Sequence, residues 1–259
     1  MNAFLGRDCF AGATAPYAGS FLSQASFTGC IVFTNWPRAD VKRLLAAELE
    51  LAVNISERPD VHPVVCIFGE VAEGATILAG FTVPLGVRYA EFALAIPFVT
   101  HKDGRYLHTY IPRMYSSHFP ATWTGNALYG FAKQMAKMWW QGPVFMLTSD
   151  DDALLLHAAI ESQCDWSSGS RCALPNFEAM RAVFTLPVLG RKVDGVYVCS
   201  YFDWDFSEAR VRAAESCVAI DAPILDGLTP RRCYGVRSGT FQVERMLWRL
   251  SWPSPCRFR

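Results

Sequence analysis

Two runs stand out in the pattern of apolar and polar positions: Tyr89 to Phe98 and Tyr106 to Tyr115. Each alternates with the period of a strand, and the Lys102-Asp103-Gly104 segment between them predicts a hairpin turn. From Leu78 to Tyr115 the chain reads strand, turn, strand, turn, strand. Ile31–Thr34 and Val64–Val71 predict two earlier strands, and Asp40 reads as the N-cap of a helix running through Leu44, Leu45, Ala47 and Leu49. Residues 1–30, rich in Gly, Ala, Ser and Phe without period, read as an irregular N-terminal arm.

Leu128 to Trp139 has apolar residues at 128, 131, 132, 135, 136, 138 and 139, which is helical spacing, and Gly142-Pro143 ends it. Val144–Thr148 predicts a strand, and Ala153–Ile160 fits strand or helix. Asp203-Trp204-Asp205-Phe206 reads as a turn, and Phe241–Trp252 as a closing strand or helix. Many short strands with few helices indicate an antiparallel sheet or barrel flanked by helices. No repeat or linker divides the chain, so residues 1–259 read as a single domain.

Charge narrows the partners. Lys+Arg and Asp+Glu balance at 24 each, which gives the whole chain no electrostatic reason to bind nucleic acid or an anionic membrane. The longest apolar stretch, Ala75–Val87, is interrupted by Gly80, Thr82, Pro84 and Gly86, against a membrane span. Nine cysteines with no CxxC pair read as small buried hydrophobes in a reducing compartment, and the start of the chain has no secretion signal. The expected setting is cytoplasmic. The five histidines lack metal-ligand spacing, and Asp150-Asp151-Asp152 reads as a solvated turn, so no metal is expected. No dinucleotide, phosphate-loop, nucleophile-elbow or zincin motif occurs.

Two residues remain as candidate chemistry. Lys133 lies among Phe131, Met135 and Met138, and Glu91 interrupts the apolar run Phe92, Leu94, Ile96. By residue statistics alone, a snorkelling lysine and a solvent-facing glutamate are the commoner arrangements.

The motifs around them change that balance. Tyr89-Ala90-Glu91, Ile96-Pro97, Gly104-Arg105-Tyr106, Met114-Tyr115 and Gly130-Phe131-Ala132-Lys133-Gln134 follow one another in the order and spacing of the acetoacetate decarboxylase family, which the chain resembles. A weaker echo lies at Asp221–Leu228, and the similarity is specific over Tyr89–Met138. The resemblance implies an α+β fold, mainly antiparallel β, with a cone- or barrel-like sheet closed around a pocket and a few flanking helices. It implies a lyase: a lysine attacks a keto group, and the imine acts as electron sink for decarboxylation. An aldol condensation–dehydration through the same enamine, or a binding domain that has lost the chemistry, are the alternatives. Carried over, Lys133 is the nucleophile and Glu91 the acidic partner. Tyr89, Arg113, Met114, Tyr115, Phe131 and Gln134 are the substrate-binding neighbours. The nucleophile must be a neutral amine, so a lysine pKa well below the usual ~10.4 is expected, the activation for which acetoacetate decarboxylase itself is known. No cofactor is implied; the implied partners are a small keto compound and further copies of the chain.

The departures are specific. Gln134 replaces the family's second lysine, and Ala132 replaces a proline, which is expected to let the helix run through the site. Gly125-Asn126-Ala127 replaces a Gly-Arg-Glu, and Phe27 or Thr28 falls where an arginine is expected. These losses remove groups that hold a carboxylate, and point to a larger or less charged keto substrate than acetoacetate.

Overall fold

The computed structural model describes residues 20–258 except 54, 56, 57, 237 and 257. Residues 1–19 of the expected arm lie outside the described residues, but its last ten do not fit an irregular segment. Strand β1 runs from Phe21 to Pro37. It pairs antiparallel on one side with β3 (Val61–Leu78) and on the other with β16 (Thr240–Ser251). Two flanking ladders hold the Ser- and Gly-containing stretch extended, an override of propensity that no local pattern announces. Asp40 does not cap a long helix. Helix α1 covers only Arg38–Arg43 with Pro37 at its cap position, and the chain then turns into β2 (Leu49–Leu51), which pairs with Val99–His101.

β3 and β4 (Phe81–His101) form a long hairpin, and β4 pairs with β5 (His108–Ser116) as the alternation predicts. After α2 (Phe119–Thr124) and a wide helical turn at Gly125–Tyr129, the chain forms β6 (Lys133–Met135) and β7 (Lys137–Gln141). The helix expected over Leu128–Trp139 is therefore a turn and two strands. β8 (Val144–Thr148) and β9 (Leu154–Ser162) complete an antiparallel meander with β7, and Gly142-Pro143 makes its first turn rather than ending a helix. β10 (Ser167–Ser168), α3 (Phe177–Val183), β11 (Val188–Arg191) and β12 (Tyr197–Ser200) follow. Asp203–Asp205, read as a turn, belongs to β13 (Phe202–Asp205), paired with β16. β14 (Arg210–Ile220), β15 (Arg231–Tyr234), β16 and β17 (Ser254–Pro255) complete a mainly antiparallel sheet with few helices; β5 pairs in parallel with β6 and β11.

The long strands are buried on both faces. On β4, Phe92, Leu94, Ile96 and Val99 enter one core, while Ala93, Ala95 and Phe98 enter another. β1 divides in the same way, with Cys30, Val32 and Trp36 on one side and Ile31 and Phe33 on the other. This explains the unbroken apolar runs: a strand covered on both faces has no polar side to show. The pattern is interrupted at Phe98, whose φ of 58° marks a bulge where the β4–β5 register shifts.

The cysteine reading needs one correction. Cys199 and Cys256 are joined in a disulfide that ties the C-terminal segment to β12; Cys30, Cys66 and Cys233 are buried free thiols as expected. Among the described residues no helix is long and apolar enough to cross a membrane.

Two buried histidines make stability depend on pH. His62 is fully buried with Nε2 at 2.8 Å from the Pro97 carbonyl, and burial pushes its pKa down to about 4. Burial brings His108 down to about 4 as well. Unfolding restores an ordinary value near ~6.5, so the unfolded chain binds more protons in between. The stability is whole above pH ~6.5 and is lost as pH falls through about 4, on the order of 3 kcal/mol per histidine. Urea midpoints measured from pH 7 to pH 4 should fall over that window, and His62→Gln should flatten the fall.

Candidate active site

One face of the sheet lines a cavity of about 430 Å³, with walls from β1, β3, β4, β5, β11, β13 and β16 and a rim from α2 and the turn after it. Ala93 and Ala95 are on its floor, and their small side chains leave the space that Phe92 and Leu94 fill on the opposite face. Strand alternation puts Glu91 and Tyr89 on the same side as these alanines, so the glutamate points inward and not to solvent.

Lys133 reaches the cavity from β6, across β5 from Glu91. His118 caps α2, its Nδ1 accepting from the Ala121 amide at 3.4 Å. The helix then widens: the Phe131 amide reaches back to the Gly125 carbonyl at 3.2 Å, and the Gly130 amide to Asn126 at 3.2 Å. Gly130 (φ 65°) and Ala132 (φ 47°) take left-handed conformations and reverse the chain. Proline, with φ fixed near −65°, is excluded at the second of these. Alanine there does not let the helix continue, contrary to expectation; it permits the turn that ends it. β11 presses against this turn so closely that a Cβ on Gly190 would meet the Tyr129 oxygen at 1.7 Å. Lys133 then opens β6, in parallel register with Met114. Asn126 clamps its backbone on both sides, Oδ1 accepting from the Lys133 amide at 2.6 Å and Nδ2 donating to the Lys133 carbonyl at 2.8 Å.

The two inward charges meet. Lys133 Nζ donates to Glu91 Oε2 at 2.5 Å, with the side chains only 6% and 18% exposed. They are the only lysine, arginine, aspartate or glutamate among the described residues lining the cavity. Tyr89 lies alongside, its ring centroid 5.9 Å from Nζ, and His118 stacks on that ring at 5.4 Å. Burial, and next the charge of Glu91, hold the Tyr89 phenol well above its ordinary range, so it remains protonated. Among the described residues no cluster of His, Cys, Asp or Glu could hold a metal ion.

Of the other residues expected at the site, Met114 and Phe131 line the cavity. Arg113 and Tyr115 do not, because alternation along β5 turns them to the opposite side from Met114. Tyr115 packs near Phe92 in the other core, and Arg113 pairs with Asp226. Gln134 is exposed, facing away from Lys133's side of β6. Sequence reasoning did not single out His118 or the aromatic residues of β13 and β16; distance along the chain hid them.

Solved structures share this architecture over nearly the full chain. The enduracididine biosynthesis enzyme MppR, in complex with the condensation product of pyruvate and imidazole 4-carboxaldehyde, matches with a TM-score of 0.61 at 14% identity, covering 94% of this chain and 90% of that one. Acetoacetate decarboxylase from Legionella pneumophila subsp. pneumophila str. Philadelphia 1 matches at 0.59 and 13% identity, over 96% and 94% of the two chains. This chain has the acetoacetate decarboxylase-like fold. An acetoacetate decarboxylase-like enzyme from Sphingomonas wittichii RW1 also matches, with a TM-score of 0.55, 12% identity, and coverage of 95% and 100%. No family profile and no curated protein sequence matches the chain. Within the decarboxylase-like fold it is thus a divergent version, alike in backbone and distant in sequence.

The Asn126 clamp can be tested apart from any activity. Asn126→Ala leaves two backbone groups of Lys133 without their side-chain partners and should lower stability by about 1–3 kcal/mol in urea denaturation. Asn126→Asp, which keeps only the acceptor, should fall between the two.

Proposed function

We propose that the protein is a lyase that forms an imine between Lys133 and a carbonyl substrate and cleaves a keto acid by decarboxylation. The observation that carries this reading is the Lys133–Glu91 pair, 2.5 Å apart and enclosed by an apolar cavity. An amine needs a base to take its proton before it attacks, and Glu91 is the carboxylate within reach. Neutral Nζ adds to the carbonyl carbon. The protonated Glu91 returns its proton to the carbinolamine oxygen, and water leaves. The protonated imine then accepts the electron pair released as carbon dioxide departs, giving an enamine. Protonation at carbon and hydrolysis return the ketone and the free lysine. The imine nitrogen is the electron sink, so this sequence calls for neither metal nor cofactor. Tyr89, a phenol beside the pair, in this reading donates a hydrogen bond to the substrate oxygen.

A second reading has one observation in its favour. With no cationic lining residue beyond Lys133 among the described residues, a substrate carboxylate has no arginine to hold it. An uncharged ketone would react through the same enamine with an aldehyde, by aldol addition and loss of water. The MppR complex contains the condensation product of an aldehyde with pyruvate, itself a keto acid. In either reading the sheet wraps around the cavity as a cone. The resemblance also implies self-association, and the cysteine usage a reducing, cytoplasmic setting; the chemistry requires neither.

Borohydride reduction of protein incubated with keto acids and ketones, followed by peptide mapping, should place the adduct on Lys133. Lys133→Ala should give no adduct and no turnover. Glu91→Gln should still be trapped, but with turnover lowered about 10²–10⁴-fold. A Lys133→Ala protein with full activity would end the imine reading, and a well-folded wild type that no carbonyl compound labels would leave only a binding domain.

A further inference from the structure

The cavity carries a feature that imine chemistry does not use. Phe131, two residues before Lys133, faces Phe202 with centroids 6.5 Å apart and planes within 23°. Phe202 stacks on Trp204 at 5.0 Å and 19°, and meets Trp248 edge-on at 5.7 Å. Trp204 in turn lies 5.0 Å from Phe184. All five rings line the cavity; Phe131 is buried and the other four are half-buried. The wall is built by strand geometry: Phe202 and Trp204 are alternate residues of β13, and Trp204 stands opposite Trp248 on β16.

We propose that the carbonyl compound taken by Lys133 bears an aryl or extended conjugated substituent, which lies along this wall. The proposal rests on the imine reading for the position of the carbonyl, but the wall is independent of it. Three observations agree. A volume of about 430 Å³ suits a ligand of drug size, and a three- or four-carbon keto acid would leave most of it unfilled. A carboxylate placed along the wall would be desolvated with no cation beside it, since Lys133 is already paired with Glu91 and Arg113 is turned away to Asp226. Flat π surfaces, by contrast, match the stacked and edge-on faces on offer, with the added attraction that aromatic pairs show beyond area burial.

The test compares acetone, pyruvate and acetoacetate with 4-phenylbutan-2-one and 4-(2-naphthyl)butan-2-one. Half-maximal borohydride labelling of Lys133 should need about 30- to 100-fold less of the aryl ketones than of acetone, the naphthyl compound being best. Calorimetric titration of Lys133→Ala with the same ketones should still detect the aryl compounds. Phe202→Ala should reduce the aryl preference towards that of acetone; where that variant fails to fold, the phenyl-to-naphthyl gain in the wild type serves in its place. Pyruvate or acetoacetate labelling Lys133 as well as the aryl ketones would overturn the substrate class and leave the imine reading intact. Aryl ketones that bind both proteins without ever being trapped would support the wall and sink the imine. No binding and no labelling by the aryl compounds would overturn the proposal.

Discussion

A lysine ammonium inside an apolar cavity is tolerable only with a counter-charge against it, and that constraint orders much of this structure. Taking both charges out of water costs more than their attraction returns unless the geometry is close, and removing either partner leaves the other stranded. Glu91 and Lys133 come from strands two apart in the same sheet, β4 and β6 on either side of β5, one from the middle of a long strand and one from the first residue of a short one. Their contact at 2.5 Å therefore depends on everything that sets the spacing and register of those strands. Small alanines on the floor, a left-handed turn before Lys133 and the asparagine that grips its backbone all serve that spacing.

The sheet supplies the rigidity. Because β1 and β4 are buried on both faces, neither can slip in register without driving large side chains from one core into the space of the other. The same two-sidedness makes the cavity: bulky residues on the outer core and alanines on the inner one give one face packed tight and one face hollow. Stability and a binding space thus arise from a single alternation.

That alternation was legible in the sequence, and so was the pair of residues it brings together. Tyr89–Phe98 and Tyr106–Tyr115 form the expected antiparallel pair because their period, turn and flanking residues agree. The segment from Leu128 to Trp139 misled for a physical reason. Its apolar residues recur with helical spacing, yet Phe131 and Lys133 face the cavity, Ala136 enters the other core, and Met138 packs against it. Two strands with cores on either side, joined through irregular backbone, can imitate a helix in a count of apolar positions. The extended state of residues 21–30 was hidden differently, since the ladders that hold it come from residues 38 or more and more than 200 positions away. The aromatic wall depends on the same kind of long-range pairing.

The substitutions at the lysine segment read differently once they have positions. A lysine in place of Gln134 would lie on the exposed face of β6, where solvent screens a charge and weakens its effect on Nζ. The glutamine in this chain therefore removes less from the site than adjacency in sequence suggests. Ala132 is the more consequential change, because a left-handed φ of 47° is open to alanine at some strain and closed to proline. Strain at the residue before Lys133 is held in place by β11 packed against Gly130 and by Asn126 fixing the Lys133 backbone. The site in this chain thus depends less on the charge beside the lysine than on the path of backbone that delivers the lysine, and on the apolar, ring-lined space into which it is delivered.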